Sequence, residues 1–305
     1  MRLVFAGTPA VAVPALDELE RGPHEIAAVI TREDAAQGRK RVLTPSRVAS
    51  AAHELRLATI KANRLDASVT DRLAELRPDL GVIVAYGGLV REPLLSLPRH
   101  GWINLHFSLL PRWRGAAPVQ RAVIAGDRVT GASVFQLVAE LDAGDVFAEA
   151  TRAIGPEETA GDVLDALAGV GAHLLAKTVD AIADGTAHAS PQTGETTIAP
   201  KLTIDDARID LTDDAARAFD RIRGVTPEPG AFVMLAGQRF KILEAKSAPH
   251  EPALPVGRAA LQDRCVLVGT GTHPLELVTV QPAGKRPMPA SDWWRGLAGA
   301  EVVFS

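Results

Sequence analysis

Asn104, His106 and Asp142 are the residues whose types and spacing best suit bond-making chemistry in this chain. Asn104 and His106 belong to the run Trp102-Ile103-Asn104-Leu105-His106-Phe107, where apolar and polar residues alternate. Successive strand side chains point to opposite faces, so the two polar residues share one face and Ile103 and Leu105 the other. Ser108-Leu109-Leu110-Pro111 follows, and its proline cannot continue a central ladder. A polar pair at a strand end, with a loop after it, is where open α/β sheets place their ligands. Leu141-Asp142-Ala143-Gly144-Asp145 forms an acidic turn that can return beside the pair. Gly144 is suited to a positive φ there, and Asp145 either caps the turn or joins the site.

Asn, His and Asp together suit a reaction that passes through an oxyanion. Asn offers an N–H to the developing charge, His donates or moves a proton, and Asp orients and charges the imidazole. One such donor is worth roughly 3–4 kcal/mol in the transition state. No Ser or Cys nucleophile elbow accompanies the trio, which favours direct attack of one substrate on another. The plain alternative is that Asn104 and His106 are strand-end residues satisfying local backbone.

The surrounding pattern supplies elements to position them. Arg2–Ala6 reads as a buried strand, Gly7-Thr8-Pro9 as its end, and Val11–Leu19 as a helix, the first half of a βαβ unit. Gly7 serves either a tight turn or a ligand contact. The turn lacks G-x-G-x-x-G, which disfavours a nucleotide-dependent dehydrogenase. Ile26–Ile30 is a second strand, and residues 31–45 form a polar loop containing Gly38-Arg39-Lys40-Arg41. Those three cations suit phosphates, or else form a solvated surface. Helices are expected over 46–57 and 65–76. Leu80–Tyr86 is an apolar run typical of a strand covered on both faces, and Gly87-Gly88 lets the backbone turn or approach a ligand. A helix over 116–125, strands over 130–140 and 145–152, and a long helix from a Thr159 cap to Asp184 complete the first half. The class expected is α/β: a Rossmann-like, mostly parallel sheet with flanking helices.

Beyond Gly224 short strands alternate with Gly and Pro breaks, which suggests a small OB-type β-barrel. The length of 305 residues suits two domains: a catalytic domain over 1–189, a polar linker over 190–205 and the barrel over 206–305. The net charge is −4, and residues 206–305 hold twelve basic and twelve acidic side chains, so nucleic-acid contact must rest on local patches. Cys265 is the single cysteine, which excludes an intramolecular disulfide and a Cys-based zinc site, and its strand context reads as core. No metal is expected. No apolar run approaches the ~20 residues of a membrane span, so no membrane partner is expected and the cytoplasm is the default location.

The words from Asn104 to Gln120, then Thr130-Gly131-Ala132-Ser133-Val134-Phe135 and Leu141-Asp142-Ala143-Gly144, resemble the formyltransferases that use 10-formyltetrahydrofolate. The resemblance runs from Gly7 to Gly296 and includes Gln281-Pro282-Ala283-Gly284-Lys285-Arg286. It implies Asn104, His106 and Asp142 as the catalytic trio. It implies folate contacts from Ser108, Leu109, Leu110 and Pro111, and from the strand bearing Val82, Val84, Tyr86 and Gly87. Sugar-nucleotide formyltransferases and folate hydrolases share the trio. The loop and the barrel instead resemble the branch that acts on methionyl initiator tRNA. That implies tRNA contacts from Arg39, Lys40 and Arg41 in the loop and from Lys241, Lys285 and Arg286 on the barrel. Lys40 and Val42 stand where that branch usually has glycine and lysine, and Glu228 where it has tryptophan. A monomer working without a metal is the expected state.

Overall fold

The computed structural model describes residues 1–38, 41–297 and 301–305. They form two compact units that interleave along the chain. One comprises residues 1–116, 130–152 and 164–199; the other 117–129, 153–163 and 200–305.

The first unit is built on a seven-stranded sheet. Its strands are β1 (Arg2–Gly7), β2 (Glu25–Thr31), β5 (Thr59–Lys61), β6 (Leu80–Val84), β7 (Trp102–His106), β9 (Val129–Gln136) and β10 (Val146–Ala153). Two short strands, β3 (Ala35–Gln37) and β4 (Val42–Thr44), pair antiparallel within the segment expected to be a loop. Their side chains are mostly exposed, so no apolar periodicity announced them. The sheet order is β10-β9-β7-β6-β1-β2-β5. Pairing is parallel from β5 to β7 and becomes antiparallel at β7–β9. Every residue of β6 is buried, as its continuous apolar run requires.

Helices α1 (Val13–Arg21), α2 (Arg47–Glu54) and α3 (Ala67–Leu76) cross between the parallel strands. Ser46 caps α2 by accepting from the Ala49 N–H at 2.9 Å, and Asp66 caps α3 through Val69 at 3.1 Å. After β8 (Arg114–Gly115) comes α4 (Pro118–Ile124), and after β10 the helix α5 (Ala160–Ala183). The Thr159 hydroxyl accepts from the Asp162 N–H at 3.2 Å and the Asp162 carboxylate accepts from the Thr159 N–H at 2.9 Å, a reciprocal cap. At 24 residues α5 is long and apolar enough, by length and composition, to cross a membrane. Its Val163, Leu167, Ala168, Ala172, Leu175 and Val179 are nevertheless buried within the protein.

The second unit holds α6 (Ala215–Gly224), β12 (Phe232–Leu235), β13 (Gln238–Ser247), β14 (Ala259–Gln262), β15 (Cys265–Val268), β16 (Leu275–Gln281), β17 (Met288–Pro289) and α7 (Ala290–Arg295). Its sheet runs β12-β13-β16-β15-β14, with β17 on β16. The chain end supplies the missing link. Met234 and Ser305 exchange backbone hydrogen bonds of 2.7 and 3.0 Å, while Val302 and Phe304 bond Ala259 and Gly257 at 3.0 and 2.8 Å. Residues 302–305 thus join the two edge strands and close the barrel, which leaves no long unpaired edge among the described residues. Phe240, Trp293 and Phe304 stack inside, with ring centroids 4.6–6.0 Å apart. Cys265, expected in the core, is only half-buried, and a hydrogen bond with Glu276 pushes its thiol pKa up.

Candidate active site

β7 sits beside the point where the sheet changes from parallel to antiparallel pairing, with Asn104 opposite Phe135 and His106 opposite Ser133. Asn104 and His106 share a face, two residues apart. His106 is 6 % exposed, and its ring meets Phe135 edge-on. The backbone then leaves the sheet through Ser108–Pro111. The Ser108 hydroxyl donates to the Arg112 carbonyl at 2.6 Å, and the Ser108 carbonyl accepts from Ser133 at 2.7 Å. Ser108 therefore ties the loop together. Leu110 donates its N–H to Ser133 Oγ at 3.2 Å.

That loop brings Trp113–Gly115 back against β7. His106 Nε2 lies 2.9 Å from the Trp113 carbonyl. A carbonyl only accepts, so Nε2 carries the proton and Nδ1 of the neutral ring presents its lone pair. Asp142 Oδ2 is 3.8 Å from that Nδ1 and accepts from the Gly115 N–H at 2.8 Å. Burial holds the His106 pKa below its ordinary value of 6.5, against the opposing pull of the Asp142 charge and the Trp113 hydrogen bond. The resting ring is neutral. A proton arriving at Nδ1 would create a donor aimed at Asp142, drawing the two together.

The 3.8 Å contact depends on an unusual turn. Asp142 itself takes the left-handed conformation, with φ 45°. Gly144, expected to do so, does not. It is glycine because a Cβ there would overlap the Gln136 carbonyl. Gly115 has φ 124°, and a Cβ there would stand 2.7 Å from the Ala199 carbonyl. β8 pairs with β11 (Ile198–Ala199), so the segment expected to be a linker is partly a strand that supports the site. The Trp113 N–H donates to Thr197 Oγ1 at 2.8 Å. Gln192 binds the 142–144 turn directly, donating to the Asp142 and Gly144 carbonyls at 2.8 Å each. Trp113, Thr197 and Gln192 escaped the sequence reading because Trp113 acts through its backbone and the other two lie in a polar stretch without periodicity.

Asn104 differs from its neighbours: its side-chain amide has no hydrogen-bond partner among the described residues, and it is only partly buried. It is a free donor beside an engaged histidine. Val82 and Val84 are fully buried, so their side chains pack in the core and only backbone beyond the strand end is left for a ligand. Tyr86 is 1 % exposed and donates its hydroxyl to the Ala62 carbonyl at 2.7 Å. Its own carbonyl accepts from Thr8 at 3.1 Å, and Arg32 donates to the Gly87 carbonyl. Gly7 has no room for a side chain, since a Cβ would lie 2.9 Å from that of Ala12.

A cavity of about 330 Å³ is lined by Leu110, Phe147, Glu149, Gln192 and their neighbours. None of the trio lines it; Leu110 and Gln192 connect it to them. Among the described residues no three His, Cys, Asp or Glu converge as a metal site would need.

The expected cations fall in three places. Arg39 and Lys40 lie outside the described residues. Arg41 is exposed in the hairpin turn, with its N–H bonded to the Gly38 carbonyl at 3.1 Å. On the barrel, Lys241 pairs across the sheet with Gln281, whose amide donates to the Lys285 carbonyl at 2.9 Å. This brings Lys241 towards Lys285 and the adjoining Arg286, all exposed and, among the described residues, without an acidic partner.

Residues 1–179 match the formyl transferase family and residues 201–298 the C-terminal domain of formyl transferases. The chain belongs to the formyl transferase family. A relative from Leifsonia xyli subsp. xyli, named methionyl-tRNA formyltransferase, is 65 % identical over 305 residues, spanning 100 % of both chains. One of the same name from Clavibacter sepedonicus is 60 % identical over 99 % of both. Among solved structures, HypX from Aquifex aeolicus in complex with tetrahydrofolic acid matches with a TM-score of 0.67 at 18 % identity, covering 98 % of this chain and 48 % of that one. Formyl transfer between two substrates agrees with a trio that contains a free donor and a buried acid–base pair but no covalent nucleophile.

Proposed function

We propose that this chain transfers the formyl group of 10-formyltetrahydrofolate to the amino group of methionyl initiator tRNA, yielding N-formylmethionyl-tRNA for translation initiation. The observation that carries the chemistry is the free Asn104 amide beside the His106–Asp142 pair, held at 3.8 Å by the Gly115 N–H. The full-length similarity to proteins named for this acceptor supports the substrate.

In the reaction the unprotonated methionyl amine adds to the formyl carbon. Asn104 donates to the oxygen as it gains charge. The buried neutral His106 accepts a proton at Nδ1, and Asp142 stabilises the imidazolium. The tetrahedral adduct then collapses by cleavage of the formyl carbon–N10 bond, and N10 of tetrahydrofolate leaves with the proton lost by the amine, so the exchange balances without metal or redox chemistry. Holding the two substrates in line supplies up to about 7–11 kcal/mol.

Leu109, Leu110 and Pro111 on one side, and the backbone at Tyr86 and Gly87 on the other, receive the folate. Ser108 contributes by fixing the loop, and Val82 and Val84 by fixing the strand. The Arg39–Arg41 loop and the Lys241, Lys285 and Arg286 group meet tRNA phosphates. Residues 1–189 carry the trio and the tRNA-facing loop, 190–205 connect them to the barrel while Gln192, Thr197 and β11 brace the site, and 206–305 add further tRNA contact. The chain works in the cytoplasm as a monomer.

The test is formyl transfer from 10-formyltetrahydrofolate, with methionyl initiator tRNA, uncharged tRNA and an amino-sugar nucleotide run in parallel. Formylation of the methionyl-tRNA alone is the expected result. Folate turnover without tRNA formylation would keep the chemistry and overturn the acceptor.

A further inference from the structure

We infer that Gln192 is a positioning residue for the reaction, holding the turn that presents Asp142 to His106. The inference rests on the proposed formyl transfer and on Asp142 acting in it.

Both ends of the Gln192 amide are engaged. Nε2 donates to the carbonyls of Asp142 and Gly144, and Oε1 accepts from Arg114 Nε at 3.1 Å and Nη2 at 2.7 Å. Two donors and two lone pairs are the full capacity of a primary amide. The arrangement links two supports of the same carboxylate. The Asp142 backbone hangs from Gln192. Arg114 leads into Gly115, whose N–H holds the Asp142 carboxylate.

The turn needs such a tie. Asp enters the left-handed region more readily than most residues but not as its preferred state, so the ties of its neighbours select φ 45° at Asp142. The competing tether is weak: Arg114 lies 3.7 Å from Glu140, whose side chain is 78 % exposed. Gln192 is itself anchored, because Ser190 and Val146 exchange backbone hydrogen bonds of 2.9 and 2.8 Å just before it. A polar residue in a turn-rich segment thereby becomes part of the catalytic support.

The experiment compares wild type, Gln192→Leu, Gln192→Glu, Asp142→Asn and the Gln192→Leu/Asp142→Asn double variant. Three quantities are read: kcat, KM for both substrates, and the His106 titration followed by imidazole NMR in the full chain. Gln192→Leu should lower kcat roughly 10- to 100-fold at nearly constant KM, as a misplacement of about 1 Å does. Gln192→Glu keeps the acceptor for Arg114 but sets an oxygen against two carbonyls, and should lose at least as much. The His106 pKa should fall in Gln192→Leu, because the Asp142 charge moves away, whereas the new carboxylate of Gln192→Glu opposes that fall. The double variant should be no slower than Asp142→Asn alone. Additive losses, an active Gln192→Glu or an unmoved His106 titration in Gln192→Leu would overturn the inference. The NMR arm separates the two ideas. If wild type fails to formylate methionyl-tRNA while Gln192→Leu still shifts His106, the acceptor is wrong and the positioning stands.

Discussion

Asp142→Asn isolates one charge. Asn can keep an oxygen where Oδ2 accepts from the Gly115 N–H at 2.8 Å, so the turn keeps its anchor. What disappears is a negative charge 3.8 Å from His106 Nδ1, with the two side chains only 11 % and 6 % exposed. Coulomb's law with an effective dielectric of about 20 gives about 4 kcal/mol for that separation. A step that requires protonated His106 should then slow by up to roughly 1,000-fold, at 1.36 kcal/mol per factor of ten. The assay is single-turnover formylation with both substrates saturating, beside equilibrium binding of the tRNA. The rate should collapse and binding should not. The same variant has a stability signature. Burial already holds His106 below 6.5, so the unfolded chain takes up its proton at higher pH than the native one. The native state therefore loses stability as the pH falls from about 6.5 towards the depressed value, and not above it. Asp142→Asn removes the charge opposing that depression and should deepen the acid loss, while His106→Gln should abolish this contribution. Thermal unfolding at about pH 7.5 and at successively lower pH below 6.5 reads the difference. A variant within tenfold of the wild-type rate, with its acid stability unchanged, would refute the reasoning.

Asn104→Ala removes the unengaged donor and should cost about 3–4 kcal/mol of transition-state stabilisation, seen as a 10²- to 10³-fold drop in kcat with tRNA affinity preserved; an equal loss of binding would make Asn104 structural. Replacing Lys241, Lys285 and Arg286 together with Ala should flatten the salt dependence of tRNA binding by about one unit of slope for each phosphate no longer neutralised, measured by titration across salt concentrations. An unchanged slope would take the barrel patch out of the interface. Gly144→Ala forces a Cβ into the Gln136 carbonyl, so the turn must shift. Overpacking of this kind costs about 1–3 kcal/mol and should lower both the melting temperature and kcat.

The strands that carry the site were legible because their signals are local. Alternation placed Asn104 and His106 on one face of β7, and the unbroken apolar run of β6 announced a strand buried on both sides. Short pieces whose stability comes from partners far along the chain were not legible. β11 exists as a strand only because it lies along β8, about 84 residues earlier, as the Ile198–Arg114 register shows. The tail at 302–305 is ordered by edges at Met234 and Ala259, and nothing in its own few residues specifies that closure. The β3–β4 hairpin buries too little to show a pattern.

The site shows the same division. Residue types and a motif were enough to nominate Asn104, His106 and Asp142, but their working state is set by atoms that carry no side-chain signature. The Trp113 carbonyl chooses the His106 tautomer, and the Gly115 N–H aims the Asp142 carboxylate. Glycines were read as sources of unusual φ, yet at Gly144 the requirement is space, and the strained residue is Asp142 itself. With the left-handed turn placed on Asp142, the geometry of its carboxylate depends on outside ties. This is why we propose that a glutamine 50 residues away, in a stretch read as a spacer, bears on the rate of a reaction whose atoms it does not touch.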